Sequence, residues 1–361
     1  MTRQNLLENP PQAAAAPQNQ TYTLTLGQAV ELARQLQRRG ELGTAALVLR
    51  KLLEVHPQRM DAYQLLQQVA PYIQYQESFL QKRASLYMNY PSHIHMETLS
   101  VCNAACSFCP YPGIERKGRR MSDALIEKIL GDLRDIPGQL PFLISPFKVN
   151  EPFLDHRLFD ILGAINEKLP NASIALTSNA SPITEEKLHR LARVRGIQYL
   201  WLSVNDHRPE HYETTMKLPF ARTLERLDMI HRKVAARGVA FPVVLSRVGD
   251  GTQSDADFVR WVGQRYPLFR ANVFPRGGWL GQVDLLLGPV PAVACHRWFE
   301  LSITSSGVVA HCCMDGQAKW PIGDVSRQHV LEVYNSPEYR RLREQMTTRL
   351  DADPCRTCTF L

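Results

Sequence analysis

The sequence predicts an α/β fold: a parallel sheet of six strand–helix units, with a helical segment before it and a small cysteine-rich segment after it. Three observations lead there. From Ser92 onward, short strand-like runs alternate with helical patterns, and repeated strand–helix units imply a parallel sheet with right-handed crossovers. Between Leu24 and Asn89 the pattern is helical throughout. Beyond Gly288 the texture changes, with Pro289 and Pro291 marking a linker and five of the eight cysteines following. The expected divisions are a disordered lead-in at 1–20, a helical region at 21–90, the sheet at 91–287 and the cysteine-rich part at 288–361.

A chain of 361 residues, 44% hydrophobic and 21% charged, has ample material for a buried core. Its longest apolar runs fall short of the roughly 18 residues that span a membrane. Met1 to Gln20 has no basic stretch followed by an apolar core, so no secretory signal is expected. Its Pro/Ala/Gln bias reads as disordered. The net charge of +7 comes without a dense Lys/Arg block, which argues against nucleic acid. Cysteines grouped in sets without a secretion signal favour metal over disulfides, and the cytoplasm is the expected location.

In the helical region, Leu32, Ala33, Gly40, Leu42, Ala45, Leu49, Leu52, Leu53 and Pro57 have the spacing of a tetratricopeptide (TPR) unit. Ala62, Tyr63 and Leu66 would begin a second, which Pro71 breaks. One repeat and a fragment cannot form a long concave surface. The region is therefore either a docking site for a partner protein or a helical cap on the domain that follows.

The six strands are expected at His93–Leu99, Pro141–Val149, Ser173–Thr177, Tyr199–Val204, Val239–Val248 and Ala271–Phe274. A helix starts after Ser122 as N-cap, with Leu125, Ile126, Ile129, Leu130 and Leu133 on one face. Others lie near Arg157–Lys168, Glu185–Arg195, Phe220–Arg237 and Asp255–Tyr266. Six units are too few for a closed eight-stranded barrel. In such sheets the chemistry sits at the C-terminal strand ends.

Directly after the first strand comes Cys102-Asn-Ala-Ala-Cys106-Ser-Phe-Cys109, three thiols within eight residues. Three thiolates satisfy three irons of a cubane, whereas clusters normally take four, so either a distant fourth ligand completes the set or one iron is kept open. A zinc loop or unrelated structural cysteines are the alternatives; zinc favours two separated pairs. The spacing, with Phe108 at the aromatic position, the lead-in Ile94–Cys102 and the exit Cys109-Pro110, resembles the radical S-adenosylmethionine (SAM) enzymes. The resemblance spans roughly Ser92 to Leu361. It implies an open, partial (β/α)6 barrel, a [4Fe–4S] cluster on Cys102, Cys106 and Cys109, and SAM chelated to the open iron. It also implies reductive cleavage of SAM to a 5′-deoxyadenosyl radical that abstracts a substrate hydrogen. A reducing partner such as flavodoxin or ferredoxin would supply the electron.

The same resemblance places SAM contacts along the strand ends. Asn150-Glu151-Pro152 stands where relatives carry Gly-Glu-Pro; Glu151 suits the SAM ammonium, and Asn150 departs from the pattern. Thr177-Ser178-Asn179 resembles a Thr-Asn-Gly, which brings in Ser178 and Asn179. Leu202-Ser203-Val204-Asn205-Asp206 resembles a Ser-Leu-Asp-Gly, with Ser203 toward the ribose or carboxylate. Lys217 stands where relatives place a base for that carboxylate. From position alone, Arg247 and Arg276, at the ends of strands five and six, are candidates for substrate binding. His207, Glu213 and Lys148 are candidate bases.

The second cysteine set reads Cys295-x11-Gly307-x4-Cys312, closing with Cys355-x2-Cys358. Gly307 reads as a hairpin turn. The pattern resembles the SPASM/twitch extension of radical SAM enzymes. It implies one auxiliary [4Fe–4S] cluster on Cys295, Cys312, Cys355 and Cys358, fully ligated and so suited to accepting an electron. Five cysteines cannot ligate two cubanes, which points to the shorter twitch form. Cys313 is spare: it is interchangeable with Cys312 as ligand, or a hydrogen donor in a radical epimerase. Zinc on the four cysteines is the alternative. The activity implied is oxidation of a sugar- or aminocyclitol-type small molecule in a biosynthetic pathway. Alternatives are crosslink or thioether formation in a peptide, and a metal-stabilised adaptor without catalysis.

Overall fold

A computed structural model describes residues 24–283 and 290–360. The expected lead-in at 1–20 and the expected boundary at 287/288 lie outside the described residues. The chain forms two compact units, one running to Ala70 and the other comprising Arg38–Gly40 and the chain from Pro71 on.

The first unit contains α1 (Leu26–Arg38), α2 (Leu42–Val55) and α3 (Met60–Val69). Val30, Ala33, Ala45, Leu49, Ala62, Leu65 and Val69 are buried. Small residues at Ala33, Ala45 and Ala62 let the helices approach closely. Leu47, Val55, Met60 and Tyr63 are exposed.

The second unit opens with α4 (Ile73–Arg83), whose Phe79 is completely buried in the main core. Six parallel strands follow: β1 (His93–Met96), β2 (Phe142–Ser145), β3 (Ala172–Ser178), β4 (Ile197–Ser203), β5 (Val243–Val248) and β6 (Arg270–Phe274). The intervening helices are α5 (Asp123–Asp132), α6 (Leu158–Lys168), α7 (Glu185–Leu191), α8 (Pro209–Met216), α9 (Phe220–Ala235) and α10 (Gln253–Arg265). Ser122 caps α5, its Oγ accepting from Leu125 N at 3.2 Å. The helix α8 was not expected from the sequence: it is short, and its pattern is too weak to separate from the strand-four loop.

The sheet does not end with the barrel. Three further strands, β7 (Glu300–Ile303), β8 (Val308–Ala310) and β9 (Pro321–Asp324), extend it in the order β6-β5-β4-β3-β2-β1-β7-β8-β9. The β7 strand pairs parallel with β1, and β8 and β9 follow antiparallel. Gly307 makes the β7–β8 turn at φ +90°, a conformation that favours glycine. Two terminal helices, α11 (Val330–Tyr334) and α12 (Pro337–Gln345), complete the unit. The fold is an open partial barrel with a helical N-terminus.

One face of the sheet is dry and the other is not. Ile94, Ile144, Ile174, Leu176, Leu200, Leu202 and Leu245 are completely buried against the helices. The alternating residues Ser173, Thr177, Tyr199, Trp201, Ser203 and Val244 are only half-buried. This period-2 alternation marks the second set as the wall of an open lumen. No helix among the described residues is long and apolar enough to cross a membrane.

Candidate metal and cofactor centre

The cysteine loop leaves β1 and is clamped from three sides. Ala105 N donates to Met216 O at 3.2 Å and Ser107 N to Thr215 O at 3.0 Å, which docks the loop on the C-terminal end of α8. Trp279 Nε1, beyond β6, donates to Phe108 O at 2.8 Å. Arg116, on the loop's exit, grips the fully buried Glu97 through two bonds of 2.6 and 2.8 Å, and its Nη1 donates to Gly316 O at 2.6 Å. This bidentate pair was not picked out in the sequence, where nothing distinguishes Arg116 from its basic neighbours.

Cys102, Cys106 and Cys109 are half-buried and close enough to disfavour one another's ionisation. Burial, chiefly, pushes Cys102 up to about 12 and Cys109 up to about 11, and raises Cys106 as well. Protons are thus hard to remove from the three thiols by themselves, and a bound metal supplies the free energy for it. The donor set fits one corner of an iron–sulfur cluster. Asn179 Nδ2 reaches Cys102 Sγ at 4.0 Å and Asn103 Oδ1 at 2.8 Å.

Around this loop lie the residues expected to meet SAM. Glu151 is 1% exposed. It accepts from Phe153 N (3.1 Å) and Ser178 Oγ (2.9 Å) on one oxygen and from Asn179 N (2.7 Å) on the other. Burial raises its pKa to about 7. Asn150 Oδ1 accepts from Lys148 N, while its Nδ2 is buried with no partner, so one donor stands ready for a ligand. Ser203 Oγ accepts from Asn205 Nδ2 at 3.0 Å. Asn205 has φ +68°, and its Oδ1 accepts from Val248 N; its positional role was not legible in the sequence. Lys217 is exposed, in left-handed conformation at the end of α8.

Three of the predicted roles, those of Arg247, Glu213 and Lys148, need correction. Arg247 is 4% exposed and spends its guanidinium on Asp206, Asp250, Asp255 and Asn205 O, at 2.5–2.8 Å; it locks the β4 and β5 ends together and has nothing left for a substrate. Glu213 is exposed and accepts from Phe220 N at 2.9 Å, capping α9. His207 packs on Trp261 of α10, with ring centroids 5.9 Å apart. Lys148 is buried and donates to Cys312 O (3.3 Å), Cys313 O (3.2 Å) and Asp315 O (2.7 Å). Glu213 and Lys148 are therefore engaged elsewhere, whereas His207 Nδ1 is buried without a hydrogen-bond partner, so His207 stays a candidate base. Arg276 is exposed beyond β6, its Nε on Gly249 O at 3.2 Å.

The second set forms its own centre. Cys295, Cys312, Cys355 and Cys358 line one cavity together with Arg297, Trp298, His311, Met314, Arg349 and Phe360. Trp298 Nε1 lies 3.4 Å and His311 Nε2 3.1 Å from Cys355 Sγ. Four thiols about one cavity match the ligand count of one cubane, and nearby Arg297 and Arg349 offset its negative charge. Cys313 is not among the lining residues; Arg297, Glu300 and Lys148 are its charged neighbours.

The radical SAM superfamily model matches residues 96–261, and the model described as an iron–sulfur cluster-binding domain, SPASM, matches residues 295–359. No curated protein matches the chain. The solved structures similar to the chain include the following three. BtrN in complex with AdoMet and 2-DOIA is 20% identical, with 75% of this chain and 93% of BtrN covered and a TM-score of 0.52. Streptococcus suis SuiB bound to precursor peptide SuiA is 15% identical, covering 82% and 75%, at 0.57. anSMEcpe with bound AdoMet and Cp18Cys peptide is 14% identical, covering 74% and 87%, at 0.53. A radical SAM domain carries a [4Fe–4S] cluster and SAM, a SPASM domain carries auxiliary iron–sulfur clusters, and the chain belongs to the radical SAM superfamily, with a C-terminal SPASM domain holding its second cysteine set.

Proposed function

We propose that the chain is a radical SAM oxidoreductase acting on a sugar- or aminocyclitol-type small molecule. Cys102, Cys106 and Cys109 would hold the first cluster, which would supply the electron for reductive cleavage of SAM. The protein's part is position and exclusion of water. Glu151 has used three of about four lone-pair sites, which leaves one for the SAM ammonium. Asn150 Nδ2 is a donor and therefore suits an oxygen of the carboxylate or ribose; that is a different contact from the glycine backbone of relatives. Ser178 and Asn179 hold Glu151, and Ser203 is held toward the lumen by Asn205. The partly exposed Tyr199 and Trp201 would form the apolar wall of the substrate site, and Arg276 stays a candidate at its rim.

The observation that carries the oxidative reading is the single cavity lined by four cysteines. A fully ligated cluster there has no vacant iron for substrate and serves best as an electron acceptor. On this reading Cys312 is the ligand and Cys313 is not. The similarity to BtrN over 93% of that chain supports the small-molecule reading. The limits 91–287 and 288–361 for the barrel and auxiliary domains belong to the proposal, and the matched ranges fall within them.

Peptide modification is the second reading. It is favoured by the exposed Leu47, Val55, Met60 and Tyr63 of the first unit, an apolar set suited to a leader peptide or partner protein. The test adds SAM and dithionite to anaerobically reconstituted protein and quantifies 5′-deoxyadenosine by mass spectrometry. The proposal expects formation above background with a pool of sugars and aminocyclitols. Stimulation only by peptides would overturn it.

A further inference from the structure

The lumen wall carries a polar cluster that the SAM site does not use. His93 and His95 lie two apart on β1 and so project from the same face. Glu300 on β7 is the register partner of His93. One ring nitrogen from each histidine and one Glu300 oxygen all lie within 4.8 Å of one another. His95 Nε2 is 3.2 Å from Glu300 Oε2, and the two imidazole centroids are 3.9 Å apart. Two donors held at ~2.0–2.1 Å by one tetrahedral ion would stand about 3.3–3.4 Å apart. The His95–Glu300 pair already has that spacing.

We propose that His93, His95 and Glu300 form a binding site for one divalent transition-metal ion of the imidazole-preferring class, with zinc as the ion to test. Two imidazoles and one carboxylate suit zinc and its neighbours in the series. Calcium and magnesium demand more oxygen ligands. The surroundings sharpen this choice. Lys82 from α4, Lys148 from beyond β2 and Arg297 all face the cluster. These positive charges weaken the binding of any cation, so the ion must be held by directional bonds to the two imidazoles and the carboxylate. Arg297 Nη1 donates to Glu300 Oε2 at 3.0 Å and Ser145 Oγ lies 2.8 Å from His93 Nε2. Arg297 therefore bonds the same Glu300 oxygen that faces His95, so a bound ion must share that oxygen or take the other one. Both strands are interior to the nine-stranded sheet, so the donors are rigidly spaced. Three protein donors leave a fourth position, as in catalytic zinc sites. The inference does not depend on which substrate the radical chemistry serves.

The test uses the full chain carrying its iron–sulfur clusters, equilibrated with zinc sulfate and then passed over a chelating resin. Elemental analysis is expected to find one zinc per chain. The zinc K-edge absorption spectrum should show nitrogen and oxygen at ~2.0 Å with imidazole outer-shell scattering. His93→Ala and His95→Ala should each weaken zinc retention at least tenfold at unchanged iron content. A tenfold excess of magnesium should leave the zinc in place. Absence of retained zinc, retention unaffected by both substitutions, or a sulfur shell near ~2.3 Å would each overturn the proposal. The spectrum of the unmodified chain decides the matter even if both variants fail to fold.

Discussion

Lys148→Met separates two roles that the sequence left confounded. Its ammonium is buried and bonded to three carbonyls of the Cys312–Asp315 turn, 164 to 167 residues away. Methionine fills a similar volume and donates nothing. Each buried carbonyl stripped of its donor costs about 1–3 kcal/mol. The 2.7 Å bond to Asp315 O counts fully, and the two bonds of 3.2 and 3.3 Å count in part. The sum is about 3–5 kcal/mol, which lowers the melting temperature by about 10 °C for a unit of this size. The turn carries Cys312, so the auxiliary site should lose occupancy and iron should fall from about eight toward about four per chain. Iron and sulfide analysis of the reconstituted variant, beside its thermal melt, checks both. Full iron content and an unchanged melt would refute the reasoning and return Lys148 to the list of candidate bases.

Other substitutions test the remaining assignments. Cys312→Ala should lose the auxiliary iron while Cys313→Ala keeps it, as counted by iron per chain; the opposite outcome would exchange their roles. Arg247→Ala leaves Asp206, Asp250 and Asp255 without their shared cation and should cost about 3–5 kcal/mol, read as a lower melting temperature. Glu151 titrates near 7 in the fold because burial raises it. Its native form therefore binds more protons than the unfolded chain between about 4.5 and 7. Its contribution is present at low pH and is lost as pH rises through 7, roughly 3 kcal/mol in all. Melts of the apo chain from pH 5.5 to 8 should show this slope, and Glu151→Gln should flatten it.

What was legible in the sequence was mostly local. The thiol triplet, the Ser122 cap and the Gly307 turn depend on neighbours within about a dozen residues, as does the alternation of strands and helices, while the four-cysteine set is legible from its spacing although it runs from Cys295 to Cys358. What failed to be legible depended mostly on partners far along the chain. Lys148, Glu213 and Arg247 lie near strand ends or the loops after them, as catalytic residues do. Glu213, and Arg247 for two of its three aspartates, have partners within eight residues, but no residue pattern marks those contacts. The carbonyls of Cys312, Cys313 and Asp315 around Lys148, and Asp206 and Asn205 O around Arg247, come near only when the elements assemble. The same holds for β7. Nothing in Glu300–Ile303 announces that it pairs with β1, yet that pairing extends the barrel sheet into the auxiliary domain and brings Glu300 to His93 and His95.

The account rests on the Cys102, Cys106 and Cys109 corner accepting SAM. The most direct test quantifies methionine and 5′-deoxyadenosine after SAM and dithionite are added to the reconstituted chain and to its Cys102→Ala/Cys106→Ala/Cys109→Ala variant. The account predicts equimolar products from the first, and none from the variant, which should still hold about four irons. A fully loaded chain that leaves SAM intact, or a variant that still cleaves it, would contradict it.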